Sequence, residues 1–177
     1  MTGLERTFAL NHMSYFLLTN LLLGALQKGQ APRVVNVSSQ AHRMAKPDLT
    51  DLQMDKRWSS FGSYGMSKLL NLWFTFEFAR RHAGIACNAL HPGAVASNFG
   101  RSSPGWMGRL FALGAPFLLT PEKGARTSIW LASAPEVGSA TGQYFIKQKA
   151  VKPSKQALDV EKQKRAWDES VRLFGLT

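Results

Sequence analysis

RVVNVSS, residues 33–39, is a short β-branched run that begins after Pro32 and closes on two serines. It is nearly continuous rather than alternating, as a strand covered on both faces of a parallel sheet reads. A second run, Ile85 to Leu90, ends in His91-Pro92-Gly93, and TGQYFI at 141–146 makes a third. Apolar residues at helical spacing fill the intervals. Leu4, Phe8, Phe16, Leu17, Leu21, Leu22 and Leu26 predict a helix over about 4–28 with Gly29 as its stop. Leu69, Leu70, Trp73, Phe74, Phe76 and Phe78 predict another over about 64–81, after an irregular connection at 40–61. Thr120 caps a third, with Pro121 in its first position and Glu122 at its positive end. A last helix runs from about Gln156 to Phe174, where Gly175 stops it. Helices and strands that alternate in this way predict a parallel sheet with right-handed crossovers. Functional groups then belong at the carboxyl ends of the strands. Ser39 and His91-Pro92-Gly93 close two of those strands, and Tyr64 opens the helix between them.

The chain has 177 residues, 45% of them hydrophobic and 19% charged, which suits one globular domain rather than a disordered segment. Its net charge of +11 admits anionic partners. No nucleic-acid-binding motif accompanies the charge, so nucleic acid is not an expected partner. The basic stretch KQKAVKPSK at 147–155 reads first as solvated surface. Its sharper reading is peripheral contact with anionic lipid, helped by the apolar GWMGRLFALGAPFLL at 105–119. No apolar run reaches membrane-span length, and the start lacks a signal-peptide pattern. His12, His42, His82, His91 and the single Cys87 have no metal-ligand spacing, so no metal is expected. One cysteine allows no internal disulfide and fits a reducing, cytoplasmic setting. His42 reads as a solvated loop residue, His91 as a loop residue packed near the site, and Cys87 as buried filler. Trp73, Phe74 and Phe76 read as core or subunit contacts.

SYGMSK at 63–68 carries the chemistry. Tyr64 and Lys68 stand at i and i+4, neighbours on one helix face. Tyrosine ionises near pH 10 in water, and a nearby ammonium lowers that value. Tyr64 can then give or take a proton while hydride moves at the adjacent carbon. Ser39 can hold the substrate oxygen as its charge develops. Asn11 sits inside the first helix, where it can bend the backbone and hold a water that links Lys68 to solvent.

The motifs ALNHMSYFLLTNLLL, RVVNVSS, YGMSK, NALHPGAVASNFGR and GARTSIWLASAPEVGSATGQYF stand in one order along nearly the whole chain. In type, order and spacing they resemble the short-chain dehydrogenases/reductases, most closely the retinol-dehydrogenase-like branch. The resemblance implies an α/β fold, the C-terminal part of a Rossmann-type doubly wound parallel sheet with about three strands and flanking helices. It implies an oxidoreductase that passes hydride between NADP (or NAD) and an apolar alcohol or carbonyl substrate. The catalytic residues implied are Asn11, Ser39, Tyr64 and Lys68. Tyr64, Lys68, Pro92, Gly93, Val95 and Ser97 are implied at the cofactor, with Ser97 standing where the family has a threonine. Residues 98–119 correspond to the variable substrate lid, and 147–177 to a basic tail and C-terminal helix.

The family opens with a strand, a T-G-x-x-x-G-x-G turn and a helix, and no such glycine pattern occurs in this chain. Residues 1–177 are thus expected to form a single, N-terminally truncated Rossmann-type catalytic domain that begins just before the family's fifth helix. Each lost phosphate contact weakens cofactor binding by about 1.5–3 kcal/mol, so impaired activity is expected of these residues alone. The first strand is expected to present an open sheet edge, which favours a homo-oligomer. Two readings from other classes stand beside the enzyme: a non-catalytic half-fold that pairs through that edge, and a basic peripheral membrane-binding protein.

Overall fold

The computed structural model describes residues 3–95 and 118–175. The chain begins with a broken helix: α1 (Arg6–Phe8), a π turn (Ala9–Met13), α2 (Ser14–Leu21) and α3 (Leu23–Lys28). Strand β1 (Arg33–Val37) follows, then a 3-10 turn (Gln40–Met44) and the long helix α4 (Ser60–Arg81). The rest is β2 (Ala86–His91), α5 (Pro121–Ser133), β3 (Tyr144–Ile146), β4 (Lys149–Ala150) and α6 (Val160–Phe174). The sheet order is β1-β2-β3-β4. β1 pairs parallel with β2, and β2 parallel with β3, as the alternating pattern predicts. No helix among the described residues is long and apolar enough to cross a membrane.

Three local departures from the sequence reading have physical causes. The first helix is not continuous. The Ser14 amide donates to the Ala9 carbonyl, while the Ser14 hydroxyl takes the Leu10 carbonyl that a regular helix would give that amide. One extra residue is thereby held in the turn that carries Asn11. Second, α4 starts at Ser60, because the Ser59 side chain accepts from the Gly62 amide and caps the helix one turn before Tyr64. Third, a fourth strand exists. Lys147 and Gln148 adopt left-handed backbone angles (φ 49° and 60°) and return the chain antiparallel onto β3. Tight hairpins of this kind usually advertise themselves with Asn-Gly or Asp-Gly, and neither is present here.

α4 is the axis of the fold. Ser63 and every residue from Gly65 to Phe78 are buried. It packs against β2, the 3-10 turn, the π turn and α6, so its apolar surface is core on all sides. Trp73, Phe74 and Phe76 thus belong to the core of this chain. Phe74 meets Phe16 from α2 at 5.7 Å between ring centroids and stacks on Trp167 from α6 at 5.7 Å. Phe16 also meets Trp167 edge-on at 4.9 Å.

Polar groups in this core are matched locally. Asn36 donates to the Thr75 hydroxyl at 2.9 Å, which donates to the Asn71 carbonyl at 2.7 Å. The buried Glu77 carboxylate lies between Arg80 and Arg81. Arg33, leaving β1, donates to the Leu131 and Ala134 carbonyls at 3.1 and 2.8 Å and so closes the C-terminal end of α5.

Phe16→Ala removes a buried ring from two elements at once, and is expected to lower the unfolding free energy by roughly 3–5 kcal/mol. Urea denaturation followed by tryptophan fluorescence measures the difference.

Candidate active site

Parallel pairing brings the carboxyl ends of β1 and β2 side by side. Val37 is level with Leu90, and the Ser38 amide donates to the Leu90 carbonyl at 2.8 Å. The two serines beyond β1 then diverge, as neighbouring residues of an extended chain do. Ser38 is buried, and its hydroxyl donates to the backbone carbonyl of Lys68 at 2.8 Å. Ser39 is half-buried and caps the 3-10 turn: its hydroxyl oxygen accepts from the Ala41 amide at 3.2 Å. That is the hydroxyl's single hydrogen bond among the described residues, so its own hydrogen remains available to a ligand.

α4 supplies the other groups. Tyr64, Ser67, Lys68 and Asn71 fall at i, i+3, i+4 and i+7, on one face. Lys68 Nζ lies 5.7 Å from the Tyr64 ring centroid and donates to the Val37 carbonyl at 3.1 Å. Asn71 also donates to that carbonyl, at 3.4 Å, and its own amide oxygen is buried without a partner among the described residues. Asn11, on the π turn, donates to the Ser67 hydroxyl at 3.1 Å, and Ser67 donates to the Tyr64 carbonyl at 2.8 Å. The Asn11 side chain is thus tied to the turn of α4 that carries Tyr64. Gly65 allows α4 to lie flush against the 3-10 turn, since a Cβ there would stand 3.1 Å from the Ala41 carbonyl.

Burial sets the electrostatics. Lys68 is 8% exposed, and desolvation pulls its pKa from 10.5 to about 8. Tyr15 is pushed up by burial and by its electrostatic interaction with neighbouring Tyr64. His91, at the end of β2, is pulled down by burial, and its Nδ1 is buried without a partner among the described residues.

Beyond β2, Gly93 takes a left-handed φ of 96°, and a Cβ there would stand 2.6 Å from Leu119 Cδ1. The Leu119 amide donates to the Ala94 carbonyl at 2.8 Å, and Val95 pairs with Leu119. The Val95 side chain sits against Gly124 at the start of α5, where a Cβ would come within 2.5 Å of it. Pro92, Gly93 and Val95 are therefore held between β2 and α5. Ser97 and residues 98–117 of the expected lid lie outside the described residues.

One expectation is overturned: His42 is not solvated but wholly buried, because segment 152–154 folds over the 3-10 turn. Asn71 was not singled out by sequence. Its i+3 spacing from Lys68 was the available signal.

Strand ends, crossover helix and site together define a Rossmann-type α/β protein. The family model described as short chain dehydrogenase matches residues 1–107, and the chain belongs to that family. It is 40% identical to human retinol dehydrogenase 14 over 98% of this chain and 53% of that protein. With human retinol dehydrogenase 13 it shares 41% identity, over 98% of this chain and 55% of the relative. A crystal structure of an uncharacterized protein from Mycobacterium paratuberculosis superposes with a TM-score of 0.74 at 30% identity, covering 98% of this chain and 60% of that one. The chain spans about half the length of the curated relatives it matches.

The lowered Lys68 pKa gives stability a sign. Between about 8 and 10.5 the unfolded chain holds a proton at Lys68 that the folded chain has released, so stability rises with pH across that window. Below about 8 both states are charged and the fold carries the whole cost of burying the ammonium. Lys68→Met is expected to be more stable than wild type by on the order of 1–3 kcal/mol at pH 7, with the gap closing as pH rises towards 10.5. Urea unfolding at stepped pH reads this directly.

Proposed function

We propose that this chain is the catalytic part of a nicotinamide-dependent oxidoreductase that interconverts an apolar alcohol and its aldehyde or ketone. The observation that carries this reading is Lys68, desolvated beside the Tyr64 ring and bonded to the Val37 carbonyl at the end of the strand from which Ser39 leaves.

The residues fit the nicotinamide-ribose end of such a cofactor. Lys68 spends one N–H on Val37 and keeps two donors for ribose hydroxyls. Pro92, Gly93 and Val95 would flank the nicotinamide ring, and the family resemblance assigns Ser97 to its carboxamide and the phosphates. When bound, the cofactor supplies or accepts the hydride. Tyr64 passes a proton to or from the substrate oxygen, with the Lys68 ammonium 5.7 Å from its ring centroid. Ser39 donates its free hydroxyl hydrogen to the same oxygen and steadies the charge that develops there. Asn11, through Ser67, holds the turn that carries Tyr64 in register. NADP, with NAD as the alternative, is the cofactor proposed. A retinoid-like alcohol or aldehyde is the substrate class, in line with the names of the relatives. The proposed setting is cytoplasmic, with the surplus of 22 Lys+Arg over 11 Asp+Glu drawing the protein to anionic membrane where such substrates dissolve.

A second reading has its own observation. β1 ends the sheet order, so its outer edge has no partner strand among the described residues. Leu10, Leu18, Leu21 and Leu22 are also exposed on the first helices. A homo-oligomer or half-fold that pairs through this edge follows. A monomer in sedimentation at high protein concentration removes it.

Tyr64→Phe is expected to lower turnover of an apolar aldehyde by about 10²–10⁴-fold while cofactor affinity is retained. Lys68→Ala is expected to lose cofactor affinity as well. Stopped-flow nicotinamide absorbance and calorimetry separate the two effects. Retained turnover in Tyr64→Phe would overturn the acid/base role of Tyr64, and no turnover or cofactor binding in the parent chain would end the enzymatic reading.

A further inference from the structure

The 3-10 turn after β1 contains a histidine that the proposed reaction does not use. His42 is fully buried and makes one contact through each ring nitrogen. Nδ1 stands 2.6 Å from the Ser39 carbonyl oxygen, and Nε2 stands 3.2 Å from the Ser154 amide nitrogen. A carbonyl can only accept and an amide N–H can only donate. A single state satisfies both: the neutral ring with its proton on Nδ1 and a bare lone pair on Nε2. The His42 amide adds a second bond to the Ser39 carbonyl, at 3.2 Å. Its neighbour Arg43 reaches the same covering segment and donates to the Lys152 carbonyl at 3.0 Å.

We propose that His42 is a positioning residue: its Nδ1–H fixes the Ser39 carbonyl, and with it the direction of the Ser39 hydroxyl, while Nε2 latches the turn to segment 152–154. This rests on the reading of Ser39 as the donor to the substrate oxygen. Ser39 is then held at two atoms, its carbonyl by His42 and its hydroxyl oxygen by Ala41, and only the hydroxyl hydrogen is left to the ligand.

The surroundings keep the ring neutral. The titratable groups that face it are Arg43 on its own turn, His91 at the end of β2 and Tyr144 on β3, whose ring meets it edge-on at 5.3 Å. Burial opposes a positive charge on the ring most strongly, and Arg43 and His91 add to it; the Ser39 carbonyl favours the charge but does not outweigh them. Protonation would also set an Nε2–H against the Ser154 N–H and break the latch.

Nitrogen-detected NMR of the histidine-labelled 177-residue chain tests the state directly. The expected signal for His42, assigned by its disappearance in His42→Asn, has a protonated Nδ1 and a bare Nε2. It should persist below the ordinary histidine pKa of ~6.5, since burial lowers that of His42. His12 is an internal contrast. The Ser170 hydroxyl donates to the Ala166 carbonyl, so His12 must present Nε2–H to it. A His42 ring protonated on Nε2, or one that titrates in the ordinary range, overturns the proposal.

Two variants separate positioning from mere packing. Asparagine places an N–H near the position of Nδ1, and glutamine places an acceptor near that of Nε2. The Ala41 amide, which donates to the Ser39 hydroxyl oxygen, is the reporter. Its hydrogen exchange is expected to stay slow in His42→Asn and to accelerate at least about tenfold in His42→Gln. Equal exchange in both variants overturns the clamp. These readouts need no turnover. Unchanged turnover in Ser39→Ala, with tautomer and exchange as expected, would instead overturn the role assigned to Ser39 and with it the functional part of the proposal.

Discussion

Two hydrogen bonds between Lys68 and the end of β1 hold this structure in register. The Lys68 ammonium reaches down to the Val37 carbonyl, and the Lys68 carbonyl receives the Ser38 hydroxyl. Both lie in the interior: the Ser38 bond costs roughly 1–3 kcal/mol if left unmade, whereas the ammonium bond offsets only part of that group's desolvation and sets register rather than net stability. A one-residue slip of α4 would turn its faces by about 100° and break both at once. The rotation that places Tyr64 is thus fixed by the same contacts that seat the helix on the sheet. Gly65 makes the fit close, since a Cβ there would press on the Ala41 carbonyl of the 3-10 turn at 3.1 Å.

Around this anchor stand polar groups of two kinds. Asn36, Thr75, Glu77 and Asn88 find partners within the fold and act as cement. Ser39 and Lys68 keep donors in reserve. A buried ammonium with spare hydrogens and, among the described residues, no carboxylate paired with it is a cost to stability, and such costs gather where chemistry is done.

The sequence made the architecture readable because the informative patterns are local. Continuous runs at 33–39 and 85–90 gave parallel strands, and Thr120-Pro121 and Gly175 marked helix ends where the backbone does turn. The spacing of Tyr64 and Lys68 was likewise enough to put them on one face. What was not readable depends on residues distant in the chain. His42 looks like any polar loop residue until segment 152–154 covers it. The π turn at Ala9–Met13 arises from competition between the hydroxyl and amide of Ser14, which helical periodicity does not encode. The β3–β4 hairpin forces two ordinary side chains into left-handed angles and carries no turn signature.

Cys87 lies in the middle strand pair, with no exposed surface, and desolvation raises its thiol pKa well above the ordinary value. Only the thiolate attacks, so in the folded state this group is chemically silent. It is also the single cysteine of the chain. A maleimide or disulfide reagent therefore has one target, reachable only when β2 parts from its neighbours. Its labelling rate is a clock for opening of the sheet on which both halves of the site are mounted.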